Sequence, residues 1–154
     1  MEIDTRMACL GFNILKGELH YCVLDGERSS PRHVDCGVHR FDPRQPRPEL
    51  ANFFKQTFRE IVDSRSPTKL AYRLSLEAQK ADQFAYLAFP YGILNVLAHE
   101  KGLPIDEFTM QSFTKRALGF TGDKFDACAA HISDFPSDAK KDTKTAALAA
   151  WMAL

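Results

Sequence analysis

Within its first forty residues the chain reads as three strands with almost nothing between them, which commits that part to an antiparallel unit. Residues 7–14 (MACLGFNI) are strand-forming, Lys16-Gly17 supplies a two-residue turn, and residues 18–25 (ELHYCVLD) alternate polar and apolar. Two such runs across so short a turn make a hairpin. Residues 26–32 are polar and turn-rich. Residues 33–41 then predict a third strand, with Val34, Cys36 and Val38 on one face. The stretch DPRQPRP, residues 42–48, reads as a loop because its three prolines remove donors and fix the backbone.

From there helical and strand patterns alternate. Leu50, Phe53, Phe54, Thr57, Phe58, Ile61 and Val62 recur at three- and four-residue spacing, one face of a helix with Pro48 suited to its first turn. Residues 68–75 predict a short apolar strand after the break at Ser66-Pro67. Residues 78–101 predict a second long helix, kinked at Pro90 and Gly92 and stopped by Gly102. A fifth strand is expected over 103–110, short helices over 112–118 and 123–131, a polar connection over 135–141, and an Ala-rich helix over 143–154. This order predicts an α/β domain spanning 1–154: a mixed five-stranded sheet with an antiparallel hairpin, flanked by helices on both faces.

Composition narrows the function classes. Twenty basic and twenty acidic residues give a formal net charge of zero, which argues against strong non-specific nucleic-acid binding but leaves room for a local basic patch. Cys9, Cys22, Cys36 and Cys128 show no CxxC spacing, so neither a zinc site nor a redox pair is indicated; in strands they act as small buried hydrophobes. The five histidines form no HxxxH or HExxH, and no GxxxxGK[ST] phosphate loop is present. No apolar run reaches membrane-spanning length, and the start MEIDTRMACLGF lacks a signal peptide's basic-then-apolar layout, so a cytoplasmic protein without membrane association is expected.

Particular segments carry a family resemblance. The run Leu10-Gly11-Phe12-Asn13 is similar to the Gly-Ile-Asp of RuvC-type Holliday junction resolvases, members of the ribonuclease H-like superfamily, with Asn13 at the acid's position. The segment from Ala71 to Gly92 aligns without a gap to that family's fourth strand and following helix, which puts Arg73 at its glutamate. Phe113 to Lys124 resembles the family's Val-Lys, Gly-x-Gly and lysine, and Asp142-Thr143-Lys144-Thr145-Ala146 resembles the Asp-x-x-Asp-Ala that opens the last helix. Asp142 keeps one acid there and Thr145 replaces the other. Short bacterial proteins with this fold and a similarly altered site also resemble the chain.

The resemblance implies a RuvC-like, ribonuclease H-like fold, a homodimer, and an ancestral two-metal nuclease site. Two divalent cations about 4 Å apart need several converging carboxylates, and amide, guanidinium and hydroxyl groups cannot supply that charge. The expectation is therefore a pseudoenzyme with no catalytic residues at the former acidic positions Asn13, Arg73, Asp142 and Thr145, and no cofactor. Its expected role is to bind DNA, RNA or a protein of nucleic-acid metabolism. Lys115, Arg116 and Lys124 are the candidate nucleic-acid contacts, against a reading as an ordinary solvated face. Phe113, Phe120 and Phe125 among them read as core. Two alternatives stand beside this one. The first is a magnesium- or manganese-dependent nuclease with relocated carboxylates (Glu77 and Asp142 with Asp25 or Glu18). The second is a structural protein-interaction domain. Asp142 is expected to cap the last helix, Arg73 is expected to pair with Asp142 and with the oxygen of Asn13, and Phe89-Pro90-Tyr91 is expected to offer an aromatic dimer surface.

Overall fold

The computed structural model describes residues 7–154. Strands β1 (Ala8–Leu15), β2 (Glu18–Glu27) and β3 (Ser30–Arg40) form an antiparallel meander, and β4 (Lys69–Arg73) and β5 (Ile105–Phe108) extend it in parallel, giving the order β3-β2-β1-β4-β5. Gly17 takes φ 82° in the hairpin turn, a conformation open to glycine at little cost. Antiparallel neighbours joined by tight turns and parallel neighbours joined through helices follow from the connection lengths.

Strand β1 is central and buried on both faces. Leu10, Phe12 and Ile14 point into a core built with α1 (Arg47–Arg65), α2 (Ala81–Leu87) and α3 (Phe89–Lys101), where Phe54, Phe58 and Leu94 are sealed. Cys9 belongs to the opposite core, which packs the sheet against α4 (Lys115–Leu118), α5 (Lys124–His131) and α6 (Lys141–Ala153). Helix α6 lies almost flat on the sheet because alanine faces it at 146, 147, 149 and 150 and Gly11 faces it from β1. Trp151 closes the far end, 1% exposed, its indole N–H donating to the Arg28 carbonyl at 2.8 Å.

Three expectations change in detail. The helix expected over 78–101 is two: the chain breaks at Ala88 (φ −127°, ψ −50°), and Pro90 lies in the first turn of α3. Proline lacks the N–H for the preceding turn and clashes with the carbonyl four residues back, so a new helix starts instead of a kink. The loop at 42–48 is shorter than expected, since α1 already begins at Arg47. On β3, Leu24 pairs with His33 and Val23 with Asp35, which leaves Val34 as the extra residue of a bulge. Val34 therefore leaves the face of Cys36 and Val38, and His33 takes its place.

Candidate functional site

The polar residues of the sheet collect at one place, the carboxyl ends of β1 and β4, where ligands commonly bind in open α/β sheets. Asn13 and Arg73 are register partners across the parallel β1–β4 pair, and Asn13 faces His20 across the β1–β2 hairpin. All three are nearly sealed: Asn13 is 0% exposed, His20 2% and Arg73 8%. The first turn of α6 lies over them. Arg73 Nε donates to Asn13 Oδ1 at 3.0 Å, and Asn13 Nδ2 donates to the Asp142 carbonyl at 3.0 Å. His20 Nδ1 meets Thr143 Oγ1 at 3.0 Å. The result is a continuous polar row, from Arg73 through Asn13 to α6 and back to His20.

Two expectations are corrected here. Arg73 does not pair with the Asp142 carboxylate; among the described residues its side chain bonds to Asn13, and what Asp142 offers the row is its backbone oxygen. Nor does Asp142 cap α6. The helix starts two residues earlier, with Lys140 at the cap position, so Asp142 lies inside the first turn. A carboxylate in a first turn still interacts favourably with the helix dipole. Thr145, at the other position where the resemblance calls for an acid, is 1% exposed and turns its hydroxyl back on the helix, donating to the Lys141 carbonyl at 3.0 Å.

This donor set does not fit two divalent cations. Of the four positions only Asp142 carries negative charge, and Arg73 brings a positive one where charge would have to be neutralised. The acids considered for a relocated site are engaged elsewhere or apart. Asp25 takes Arg32 through both carboxylate oxygens at 2.8 and 2.5 Å, Glu18 Oε2 stands 3.2 Å from His20, and Glu77 is exposed beyond the end of β4. Among the described residues, no group of three or more His, Cys, Asp or Glu side chains converges as a metal site would require.

The candidate contacts in the 113–124 segment divide. Lys115 and Arg116 stand exposed on α4, whereas Lys124 is half-buried and its Nζ donates to the Met110 carbonyl at 3.1 Å, tying α5 to the turn before it. Phe113 and Phe120 are core, at 2% and 5% exposed. Phe125 is half-buried, with the Lys141 ammonium 4.8 Å from its ring centre. The four thiols behave as apolar groups. Burial pushes Cys9 up to about 11 and Cys128 up to about 12, and it raises Cys22 and Cys36 as well.

Some site features escape a linear reading. An open notch of about 400 Å³ at the same end of the sheet is lined by Lys16, Arg44, Arg47 and Lys80, with Asp82 and Tyr86. The four cations come from the hairpin turn, the proline loop, the start of α1 and the approach to α2, so no charge run announces them. His20 had a clear signal: counting outward from the Lys16-Gly17 turn pairs Leu15 with Glu18, Ile14 with Leu19 and Asn13 with His20. On the other face of β1 and β4, Tyr72 and Tyr91 stack at 4.1 Å and support the row from below. Tyr91 Oη accepts from the Ile14 N–H at 3.1 Å. The Tyr72 hydroxyl donates to Glu107 at 2.5 Å, and burial together with that carboxylate pushes it up to about 12.

Burial lowers His20 below its ordinary value of 6.5, outweighing the opposing pull of Asp142 and Glu18. The imidazole meets the Thr143 hydroxyl through Nδ1, and its Nε2 stands 3.2 Å from the Glu18 carboxylate. The folded state therefore refuses a proton that the unfolded chain accepts. Stability is full above pH 6.5 and declines as the pH falls below it. Half-buried His33 is lowered too and acts in the same direction. A His20→Gln chain is expected to lose less stability than the parent between about pH 7.5 and about pH 5, read from urea midpoints. An unchanged loss would place the titration elsewhere.

Comparison with known proteins yields structural matches only; no protein-family model and no curated protein matches the chain. Thermus thermophilus RuvC in complex with a Holliday junction substrate superimposes with a TM-score of 0.79 at 14% identity, covering 95% of this chain and 92% of that one. A second Thermus thermophilus RuvC structure gives 0.73 at 16% identity with the same coverage. The yeast mitochondrial Holliday junction resolvase Ydc2 gives 0.70 at 13% identity, covering 94% of this chain and 78% of that one. The chain has the RuvC-like, ribonuclease H-like fold, and its likeness to Holliday junction resolvases extends over nearly its whole length.

Proposed function

We propose that the chain is a cytoplasmic RuvC-like protein that binds nucleic acid at the carboxyl edge of its sheet without cleaving it. The observation carrying this reading is the donor set itself: Asn13 and Arg73, buried and hydrogen-bonded to each other, stand at two positions where the resemblance calls for carboxylates. Binding is supported by the notch lined by Lys16, Arg44, Arg47 and Lys80 at the same edge, and by exposed Lys115 and Arg116 on α4. Arg44 and Arg47 are paired with Asp42 and Asp82, so Lys16 and Lys80 with the α4 cations carry the positive potential offered to a ligand. Junction-bound Thermus thermophilus RuvC makes branched DNA the first ligand to try. The test is a binding panel of four-way junction, duplex and single-stranded DNA and RNA in chelator. The expected result is salt-sensitive binding strongest for one of these, weakened by Lys16→Glu with Lys80→Glu. Absence of binding to all of them would end the nucleic-acid reading.

One observation favours a protein surface as well. Phe89 is 61% exposed and Phe84 39%, their rings stacked at 6.5 Å beside a groove lined by Leu50, Phe54, Pro90 and Ile93. Pro90 and Tyr91, named with Phe89 as a dimer surface, are buried, so the contact face is Phe84 and Phe89. A homodimer through that face is part of the proposal. Sedimentation would show it as a species of twice the chain mass that Phe89→Glu disperses.

A further inference from the structure

Arg73 is the odd cation of this fold. Arg32, Arg47, Arg59 and Arg65 have side chains 40–49% exposed, and each has a carboxylate partner at 2.5 to 3.8 Å. Arg73, 8% exposed, has none among the described residues. Its Nε is held by Asn13 Oδ1, and among the described residues neither η nitrogen has a hydrogen-bond acceptor. Neither is sealed: the sealed, unbonded side-chain atoms among the described residues are Nε2 of His20 and of His33. The planar end of this buried guanidinium thus keeps some solvent access without a protein acceptor among the described residues. Desolvating a guanidinium without an anion is costly, so this arrangement favours whatever anion completes it.

A second feature lies against the same row. Helix α6, thirteen residues long, starts at Lys141 with no side-chain cap at Lys140, and its first turn is hydrogen-bonded to Asn13. The first-turn N–H groups and the positive end of the helix dipole favour an anion there. The carboxylates that act on His20 in this row are Asp142 and Glu18.

We infer that the former metal position is an oxyanion site, in which the Arg73 fork takes the phosphate oxygens that metal ions would otherwise hold. A phosphodiester of nucleic acid is the ligand, and no divalent cation takes part. A guanidinium fork suits two phosphate oxygens at once, which a point charge cannot match. Asn13 fixes the fork through Nε and leaves both η nitrogens free to point at the ligand. The identity of the ligand rests on the nucleic-acid reading above; the existence of the anion site does not.

The full chain is compared with Arg73→Gln and Arg73→Lys in two assays, with circular dichroism to verify folding. In the first, inorganic phosphate replaces chloride at equal ionic strength during thermal melting. The parent is expected to melt a few degrees higher in phosphate, roughly as a ligand in excess of its Kd requires, and Arg73→Gln not at all. In the second, four-way junction DNA is titrated in chelator across a salt series. Arg73→Gln is expected to lose roughly tenfold in affinity and about one unit of salt slope. Arg73→Lys keeps the slope and loses affinity severalfold, a result that still decides the matter if the glutamine variant fails to fold. A phosphate effect dependent on Arg73 without junction binding keeps the anion site and removes the nucleic-acid reading. Junction binding equally strong in all three chains, with no phosphate effect, overturns the anion site and leaves that reading standing.

Discussion

Replacing Gly11 by alanine is expected to destabilise the protein by about 3 kcal/mol, the upper range for overpacking a close-packed core. A methyl group at Gly11 would stand 2.2 Å from the Ala146 carbonyl oxygen and 2.7 Å from the Ala150 nitrogen. Both are backbone atoms of α6, so no side chain can swing aside and the helix itself must lift from β1. The loss would reach the site, because the bonds from Asn13 to Asp142 and from His20 to Thr143 depend on how α6 sits. For a chain of this length the expected fall in melting temperature is about 6 to 12 °C. Gly92→Ala is the control. Nothing lies within 4 Å of a methyl group there, and Gly92 is inside α3, so alanine is expected to stabilise by about 0.5 to 1 kcal/mol. If Gly11→Ala melts like the parent, the close approach of α6 to β1 is wrong, and with it the geometry of the polar row.

The second large effect comes from restoring charge. A chain carrying Asn13→Asp, Arg73→Glu and Thr145→Asp beside native Asp142 would gather four carboxylates under the first turn of α6. Without metal their mutual repulsion has no compensation, and the variant is expected to melt well below the parent. Manganese should reverse this. At a metal concentration 100 times the dissociation constant the gain is about 2.7 kcal/mol, while the parent gains nothing because its donor set holds one acid. Thermal melting with and without manganese reads both effects. A folded variant indifferent to manganese would mean that these four positions do not converge, and that the loss of carboxylates does not explain the altered site.

Much of this fold was legible because its signals are local. The hairpin follows from Lys16-Gly17 between two strand patterns, and the parallel half of the sheet from helices placed between the later strands. The meeting of Asn13 and Arg73 also followed, since strand-by-strand likeness to RuvC-type proteins put both at former acid positions and they are register partners. What was not legible depends on rotations finer than a pattern conveys. Starting α6 at Lys141 instead of Thr143 puts Asp142 inside the first turn, where its carbonyl accepts from Asn13. The break at Ala88 reflects one proline's steric demand inside an otherwise continuous apolar face. The basic notch was hidden because Lys16, Arg44, Arg47 and Lys80 are scattered along the chain and meet only in the fold. Lys124 shows the converse: its place in a family-like segment marked it as a phosphate contact, while in the fold its ammonium is bonded to the Met110 carbonyl.

The central proposal is that this RuvC-like fold carries no two-metal centre, and calorimetric titration of the parent chain with manganese, followed by incubation with four-way junction DNA, tests it most directly. The account predicts no saturable heat at millimolar manganese, junction binding that is the same with metal as with chelator, and intact junction strands. Saturable binding of two manganese ions with metal-dependent strand cleavage, both abolished by Asp142→Asn, would contradict it.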